Sequence, residues 1–254
     1  MAISLNNEKD VYDRAKANET GEVEIFDKII FPEIIRRKEL NAISDCLEVQ
    51  NPKLVLDLGC GGGWLSKFLT SKGYNVVGID LSKSLVINAR AVCKESSFLI
   101  GNCLLLPFKT NSFDMIIGVG ILHHLNINSS LKECARILRK GGCVLFMEPN
   151  ALNPLMAIGR KLLPSEIHTD DEAALHISDI KEAMNYSNMQ MSGVRYLFPY
   201  SFCVSYLLRM AESDPIISFS KLICPLIDFT EGIIENLYVI NKFSGVIMVT
   251  GIKG

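Results

Sequence analysis

Between residues 53 and 149 the chain alternates two hydrophobic patterns. Short β-rich runs at 53–57, 75–80, 97–101, 113–118 and 143–148 predict strands, while 64–72, 82–94 and 129–139 predict helices. Three of the helices carry their own punctuation: Gly73 follows the first, Ser82 can cap the second, and Gly141-Gly142 closes the third. Strand and helix alternating at this spacing predict a parallel sheet covered on both faces. Right-handed crossovers then bring the loops that follow the strands to one edge, where ligands bind.

The flanks read differently. Upstream, Val23, Phe26, Ile29, Ile30, Ile34, Leu40, Ile43 and Leu47 recur at roughly helical spacing, interrupted at Pro32, and predict one or two helices leading into the core. Downstream of Glu148, Pro149, Pro154 and Pro164 punctuate a segment with no clear strand before 189–197, and a last strand is predicted at 245–251. Residues 200–211 and 215–229 are strongly apolar. The expected organisation is an N-terminal helical segment over 1–48 and a core over 49–254. Insertions near 150–175 and 199–243 would form a cap over the site.

A length of 254 residues fits one large domain, and 48% hydrophobic residues are ample for a core without metal or disulfide support. The net charge of −2 gives no footprint for nucleic acid, and Arg36-Arg37-Lys38, the densest basic cluster, reads as a solvated helix face. Eight cysteines occur without a Cys-x-x-Cys pair or a His at zinc-ligand spacing, which suggests a reducing compartment. The first residues lack the apolar run of a secretory signal, and no stretch has the 18 or more uncharged apolar residues of a membrane span. A cytoplasmic protein is expected, with contact to a membrane surface left open.

The first predicted strand runs into Asp57-Leu58-Gly59-Cys60-Gly61-Gly62-Gly63 and then into a helix. Such a turn lets backbone approach a ligand closely, and the helix N-terminus behind it suits a carboxylate or a phosphate. A dinucleotide pyrophosphate and the carboxylate of S-adenosylmethionine are both candidates. The dinucleotide pattern Gly-x-Gly-x-x-Gly/Ala fails from Gly59, where Trp64 takes the third position, and from Gly61, where Ser66 does. Asp57 would repel a pyrophosphate yet could anchor a cationic α-amino group, so the chemistry favours a zwitterion. Asp80, ending the second strand, suits the two ribose hydroxyls of either cofactor.

Taken in order, DLGCGGG, GIDLS, GNCLLLPF, FDMIIGVGILHHL and LKECARILRKGGCVLFMEPN resemble the motifs of class I S-adenosylmethionine-dependent methyltransferases. The group most similar is the small-molecule one that includes the ubiquinone and menaquinone biosynthesis methyltransferases. The resemblance covers roughly residues 50–150, with weaker agreement at Val11-Tyr12-Asp13. It implies a Rossmann-like three-layer α/β sandwich, a seven-stranded, mostly parallel sheet with an antiparallel last strand, and a helical cap. It also implies that Asp57, Gly59 and Gly61 hold the methionine end, Asp80 the ribose and Leu81 the adenine face, with Cys60 also among the cofactor-binding residues. Asn102 and Cys103 stand where the family usually has Asp-Ala or Asp-Val; Asn102 can still accept from the adenine amine, without the charge. Val119 would offer backbone groups to the methionine end, and Tyr12 resembles a tyrosine that closes over the cofactor from the N-terminal segment. S-adenosylhomocysteine would be the product.

The sulfonium supplies an electrophilic methyl, so the protein mainly aligns the nucleophile and removes its proton. His123, His124 and Glu148 follow the fourth and fifth strands at the ligand edge and are the candidates for a base; Glu148 could equally anchor substrate or cap a neighbouring loop. His168 and His176 lie near Asp170-Asp171-Glu172, but their spacing matches no metal motif, and no metal is expected. The apolar runs of the predicted cap point to a lipophilic small acceptor, with a polar metabolite or sugar as the competing class. A non-catalytic S-adenosylmethionine-binding scaffold is the alternative function. A nicotinamide oxidoreductase is disfavoured by the failed third glycine. A nucleic-acid methyltransferase is disfavoured by the charge and by the missing Asn/Asp-Pro-Pro-Tyr/Phe motif.

Overall fold

The computed structural model describes residues 21, 32–154, 174–201 and 214–254. Strands β1 (Leu54–Leu58), β2 (Asn75–Asp80), β3 (Ser97–Ile100), β4 (Phe113–Val119), β5 (Leu138–Pro149), β6 (Met189–Leu197) and β7 (Val246–Lys253) form one sheet in the order β3-β2-β1-β4-β5-β7-β6. β1 to β5 pair in parallel, whereas β7 runs antiparallel to both β5 and β6. β6 therefore runs with β1–β5. The chain from 198 to 245 leaves and returns at the carboxyl edge, where the loops after β1, β2, β4 and β5 also lie.

Alternation along the central strands feeds two cores. Ile116 of β4 and Val144 and Phe146 of β5 face one cluster. Met115 and Ile117, then Cys143, Leu145 and Met147, face the other. Helices α1 (Pro32–Gln50), α2 (Trp64–Ser71) and α3 (Lys83–Val92) precede β1, β2 and β3, and α4 (Ile127–Ile137) and α5 (Ile177–Tyr186) precede β5 and β6. Leu131 and Ile137 of α4 and Ile180 and Met184 of α5 fill the first core; Ile43 and Leu47 of α1 and Leu65 and Leu69 of α2 fill the second.

Pro32 opens α1, a position where its missing N–H costs nothing, and residues 22–31 before it lie outside the described ones. α4 starts earlier than predicted, with the Asn126 side chain accepting from Ser129 N at 3.0 Å. It also ends sooner: Leu138 already pairs with Phe113, so Gly141-Gly142 do not close the helix. They lie in a bulge before Met115–Cys143 pairing resumes, with Gly141 at φ 74°. Ser82 caps α3 as predicted, accepting from Leu85 N at 3.3 Å.

Between β6 and β7 lie α6 (Asp214–Glu235) and α7 (Tyr238–Asn241). α6 packs on α1 through Ile34 and Ile227. Lys38 of α1 reaches Glu231 at 2.9 Å and Glu235 at 2.7 Å, and Arg37 reaches Asp228 at 2.7 Å. Glu231 is fully buried and also accepts from Tyr200 N and Ser201 N. Burial works against the charge on Lys38, but the hydrogen bonds and charges of Glu235 and Glu231 outweigh it and raise its pKa. Lys38→Met should destabilise the protein by about 3 kcal/mol in urea unfolding, because it strips a buried carboxylate of its cation. An unchanged midpoint would contradict that reading.

Candidate active site

The carboxyl ends of β1, β2, β4 and β5 bring most of the predicted residues to one edge. The turn after β1 is held by backbone: Gly59 N and Cys60 N both donate to Ile79 O, at 2.9 and 3.0 Å. Gly59 adopts φ 70°, and a Cβ there would lie 2.7 Å from the Ile121 side chain, so the turn admits only glycine at this point. That contact also seats the β4 loop directly against the glycine turn. Asp80 straps the turn from the next strand, accepting from Gly61 N and Ser82 N at 2.8 Å each.

Asp57 is buried behind the turn and accepts from Ser66 Oγ at 2.6 Å. Burial pushes its pKa up to about 7; the Ser66 hydrogen bond opposes this, and the nearby Asp80 charge adds to it. Once ionised, such a carboxylate is stabilised by a cation beside it. An ammonium group fits its need, and the glycine turn gives the rest of an amino acid room to approach. The S-adenosylmethionine methionine end therefore matches the residues present. Cys60 and Cys103 are buried; burial raises both thiols, Cys103 to about 12, which disfavours the nucleophilic thiolate.

Leu81 and Asn102 are half-buried beyond β2 and β3, and Val119 ends β4. Asn102 Oδ1 accepts from Leu104 N at 2.8 Å, closing the turn that carries Cys103. The short helical turn Leu122–His124 follows β4. Glu148, fully buried near the end of β5, gathers this turn: Oε1 accepts from Ile121 N at 3.1 Å and Leu122 N at 2.8 Å. Oε2 accepts from His123 N at 3.4 Å and lies 2.7 Å from His123 Nδ1. The His124 ring stacks obliquely on His123, with centroids 4.0 Å apart.

Tyr12 and His168 lie outside the described residues, as do Asp170-Asp171-Glu172. His176 precedes α5 without a capping side-chain bond, and no cluster of metal-binding side chains occurs among the described residues. Sequence reasoning missed Ser66, noted only as a failed glycine. It also missed Gly21, which is buried at φ 86°, where a Cβ would lie 2.5 Å from Gly62 O. An acid followed nine residues later by a serine in the first helical turn was the available signal for Ser66. Nothing local marks Gly21.

A sheet in this order, with β7 reversed, a glycine turn after β1 and an acid closing β2, defines the class I S-adenosylmethionine-dependent methyltransferase architecture. Residues 56–146 match the family described as the methyltransferase domain. An uncharacterized protein of Methanocaldococcus jannaschii is 27% identical over 197 residues, covering 78% of this chain and 76% of its own length. The demethylmenaquinone methyltransferase of Lactococcus lactis is 38% identical over 103 residues, 37% of this chain and 41% of that protein. The crystal structure of the YcgJ protein from Bacillus subtilis shares the fold with a TM-score of 0.58 at 19% identity, over 85% of this chain and 98% of that one. The chain thus carries a class I S-adenosylmethionine-dependent methyltransferase domain, distantly related to the menaquinone and ubiquinone methyltransferases. Its cofactor is S-adenosylmethionine. Matches to several of these relatives span about half of their length.

Proposed function

We propose that the protein transfers a methyl group from S-adenosylmethionine to a small lipophilic acceptor whose nucleophilic atom carries a proton. The observation that carries this reading is the His123–Glu148 pair, seated through Ile121 against the glycine turn. In this reading Asp57, Gly59, Cys60 and Gly61 hold the methionine end of the cofactor, with Val119 beside them. Asp80 holds the ribose, and Leu81, Asn102 and Cys103 flank the adenine. When bound, the cofactor supplies a methyl group activated by its sulfonium.

The chain's own part is to position the acceptor and take its proton. An ionised Glu148 only accepts hydrogen bonds, so it holds the proton of His123 on Nδ1 and leaves Nε2 with its lone pair. Nε2 is then the base, and the imidazolium formed is paired with the buried carboxylate. Glu148 itself is a positioning residue, since both its oxygens are engaged by the 121–123 turn. His124 stacks behind. The N-terminal segment closes over the cofactor in this account, consistent with Gly21 lying on the glycine turn. The 199–243 excursion is a cap, rising from the same edge as the site. A lipophilic acceptor suits that apolar excursion, and one relative is named for demethylmenaquinone.

The test is incubation with methyl-labelled cofactor and a panel of prenylated phenols and quinols beside polar metabolites and sugars. Label should pass to a lipophilic member. Transfer only to polar acceptors would overturn the substrate class, and cofactor binding without transfer to any acceptor would favour a scaffold.

A further inference from the structure

We propose that Ser66 is a positioning residue for cofactor capture, holding the Asp57 carboxylate in place for the ammonium group of the methionine end. Through that carboxylate it governs the pH range over which the cofactor binds. The inference rests on Asp57 taking the ammonium and extends that reading to the residue behind it. Asp57, the fourth residue of β1, is 2% exposed, and Ser66, the third of α2, is fully enclosed. Any effect of Ser66 on the cofactor therefore passes through Asp57.

The glycine turn brings the two together. Gly63 N donates to Cys60 O at 2.9 Å, folding the chain back so that the first turn of α2 lies beside the end of β1. The Ser66 hydroxyl then donates to Asp57 Oδ2 at 2.6 Å, within the roughly 2.5–2.7 Å of a hydroxyl on an ionised carboxylate. The Ser66 N–H adds a second hydrogen bond. It is one of the donors that a helix leaves unused at its start, and Gly63 in front of it offers no side-chain cap. Among the described residues, Ser66 supplies both of the hydrogen bonds that Asp57 receives. Glycine or alanine, which a dinucleotide pattern starting at Gly61 requires here, would leave the carboxylate without the hydroxyl.

The surroundings make this support count. Burial, first, and the charge of Asp80 at the end of β2 both favour the protonated acid. Cys60 on the turn and Cys103 beyond β3 also face Asp57, and burial keeps both thiols neutral. Against burial and Asp80, the two Ser66 hydrogen bonds are what favours the charged form. Without the hydroxyl, Asp57 would keep its proton to higher pH, and an arriving ammonium would meet a neutral acid.

This gives Ser66 a signature in pH. Below its pKa of about 7, Asp57 must release a proton before it pairs with an ammonium, so affinity rises with pH until the carboxylate is ionised. Removing a hydrogen bond to a charged group should move that rise upward by about one to two pH units. A serine that only packed behind the turn would change affinity by one factor at every pH.

Calorimetry of S-adenosylhomocysteine binding to the full chain, at about pH 6.5 and about pH 8.5, tests this on wild type, Ser66→Ala and Asp57→Asn. Ser66→Ala removes one oxygen from a helix position that alanine favours, so the fold should hold. Methylthioadenosine, which has the nucleoside but no amino group, reports on the turn itself and should bind wild type and S66A within about twofold. S66A should weaken S-adenosylhomocysteine roughly 10–70-fold at the lower pH and no more than about fourfold at the higher one. An equal loss at both pH values, or a matching loss of methylthioadenosine, would make Ser66 a packing residue and overturn the proposal. So would S66A binding as well as wild type at the lower pH. In each of those cases a weakened D57N leaves the Asp57 reading standing, whereas D57N binding like wild type would remove that reading and this one together.

Discussion

Replacing His123 with glutamine should lower kcat for methyl transfer by about 10²–10⁴-fold, the span over which a positioned base acts, and leave cofactor affinity within about twofold. The imidazole is 2.7 Å from Glu148 through Nδ1 and shares no hydrogen bond with Asp57 or Asp80, so cofactor binding should not register its loss. Glu148→Gln is the sharper variant. Its amide oxygen can still receive Ile121 N and Leu122 N, but an amide N–H then faces His123 Nδ1. That reverses the tautomer and puts the proton on Nε2, where the base is needed. E148Q should therefore lose kcat on the scale of H123Q with KM little changed, and combining the two should cost little more than either alone. His124→Gln should cost less than tenfold. Rates unaffected by H123Q would remove His123 from the chemistry.

Asp57→Asn should weaken S-adenosylmethionine by roughly 10–100-fold, the worth of a charged hydrogen bond, yet stabilise the empty protein. Burial lifts the Asp57 pKa from an ordinary 3.8 to about 7. Between those two pH values the folded state holds a proton that the unfolded state has lost. Wild-type stability contributed by this group thus falls as pH rises from about 4 to about 7 and stays low above it. The asparagine variant lacks that slope, and at pH 8 it should be more stable by roughly 2–4 kcal/mol in urea unfolding. A bound ammonium favours the ionised carboxylate. Wild-type cofactor affinity should accordingly climb through pH 7, with proton release visible as a buffer-dependent binding heat. Both signatures should vanish in D57N. A variant that binds as well as wild type would move the amino group elsewhere.

The sheet was legible because its strands are buried on both faces: runs such as 113–118 and 143–148 have no polar alternation, and the intervening helices show their caps. Ser82 was readable for that reason. Gly141-Gly142 misled because two glycines after a helical pattern look like a C-terminal stop, whereas here they let β5 bulge against β4. The cofactor turn was legible as a contiguous motif, with Asp80 23 residues beyond its acid. For Glu148 the sequence left three roles open: a base, a substrate anchor and a cap on a neighbouring loop. Its partners lie 25–27 residues upstream, and only the parallel pairing of β4 with β5 brings them together. The burial of Glu231 in α6 was equally hidden, since a periodic helix shows two faces but not which of them meets its neighbour.

Isothermal titration calorimetry of the full chain with S-adenosylmethionine, S-adenosylhomocysteine and NAD tests the cofactor assignment most directly. Asp57, the glycine turn and Asp80 together require one site per chain that takes both sulfur compounds, loses affinity on D57N, and gives no heat with NAD. Binding of NAD, or no binding of either sulfur compound at pH 8, would contradict it.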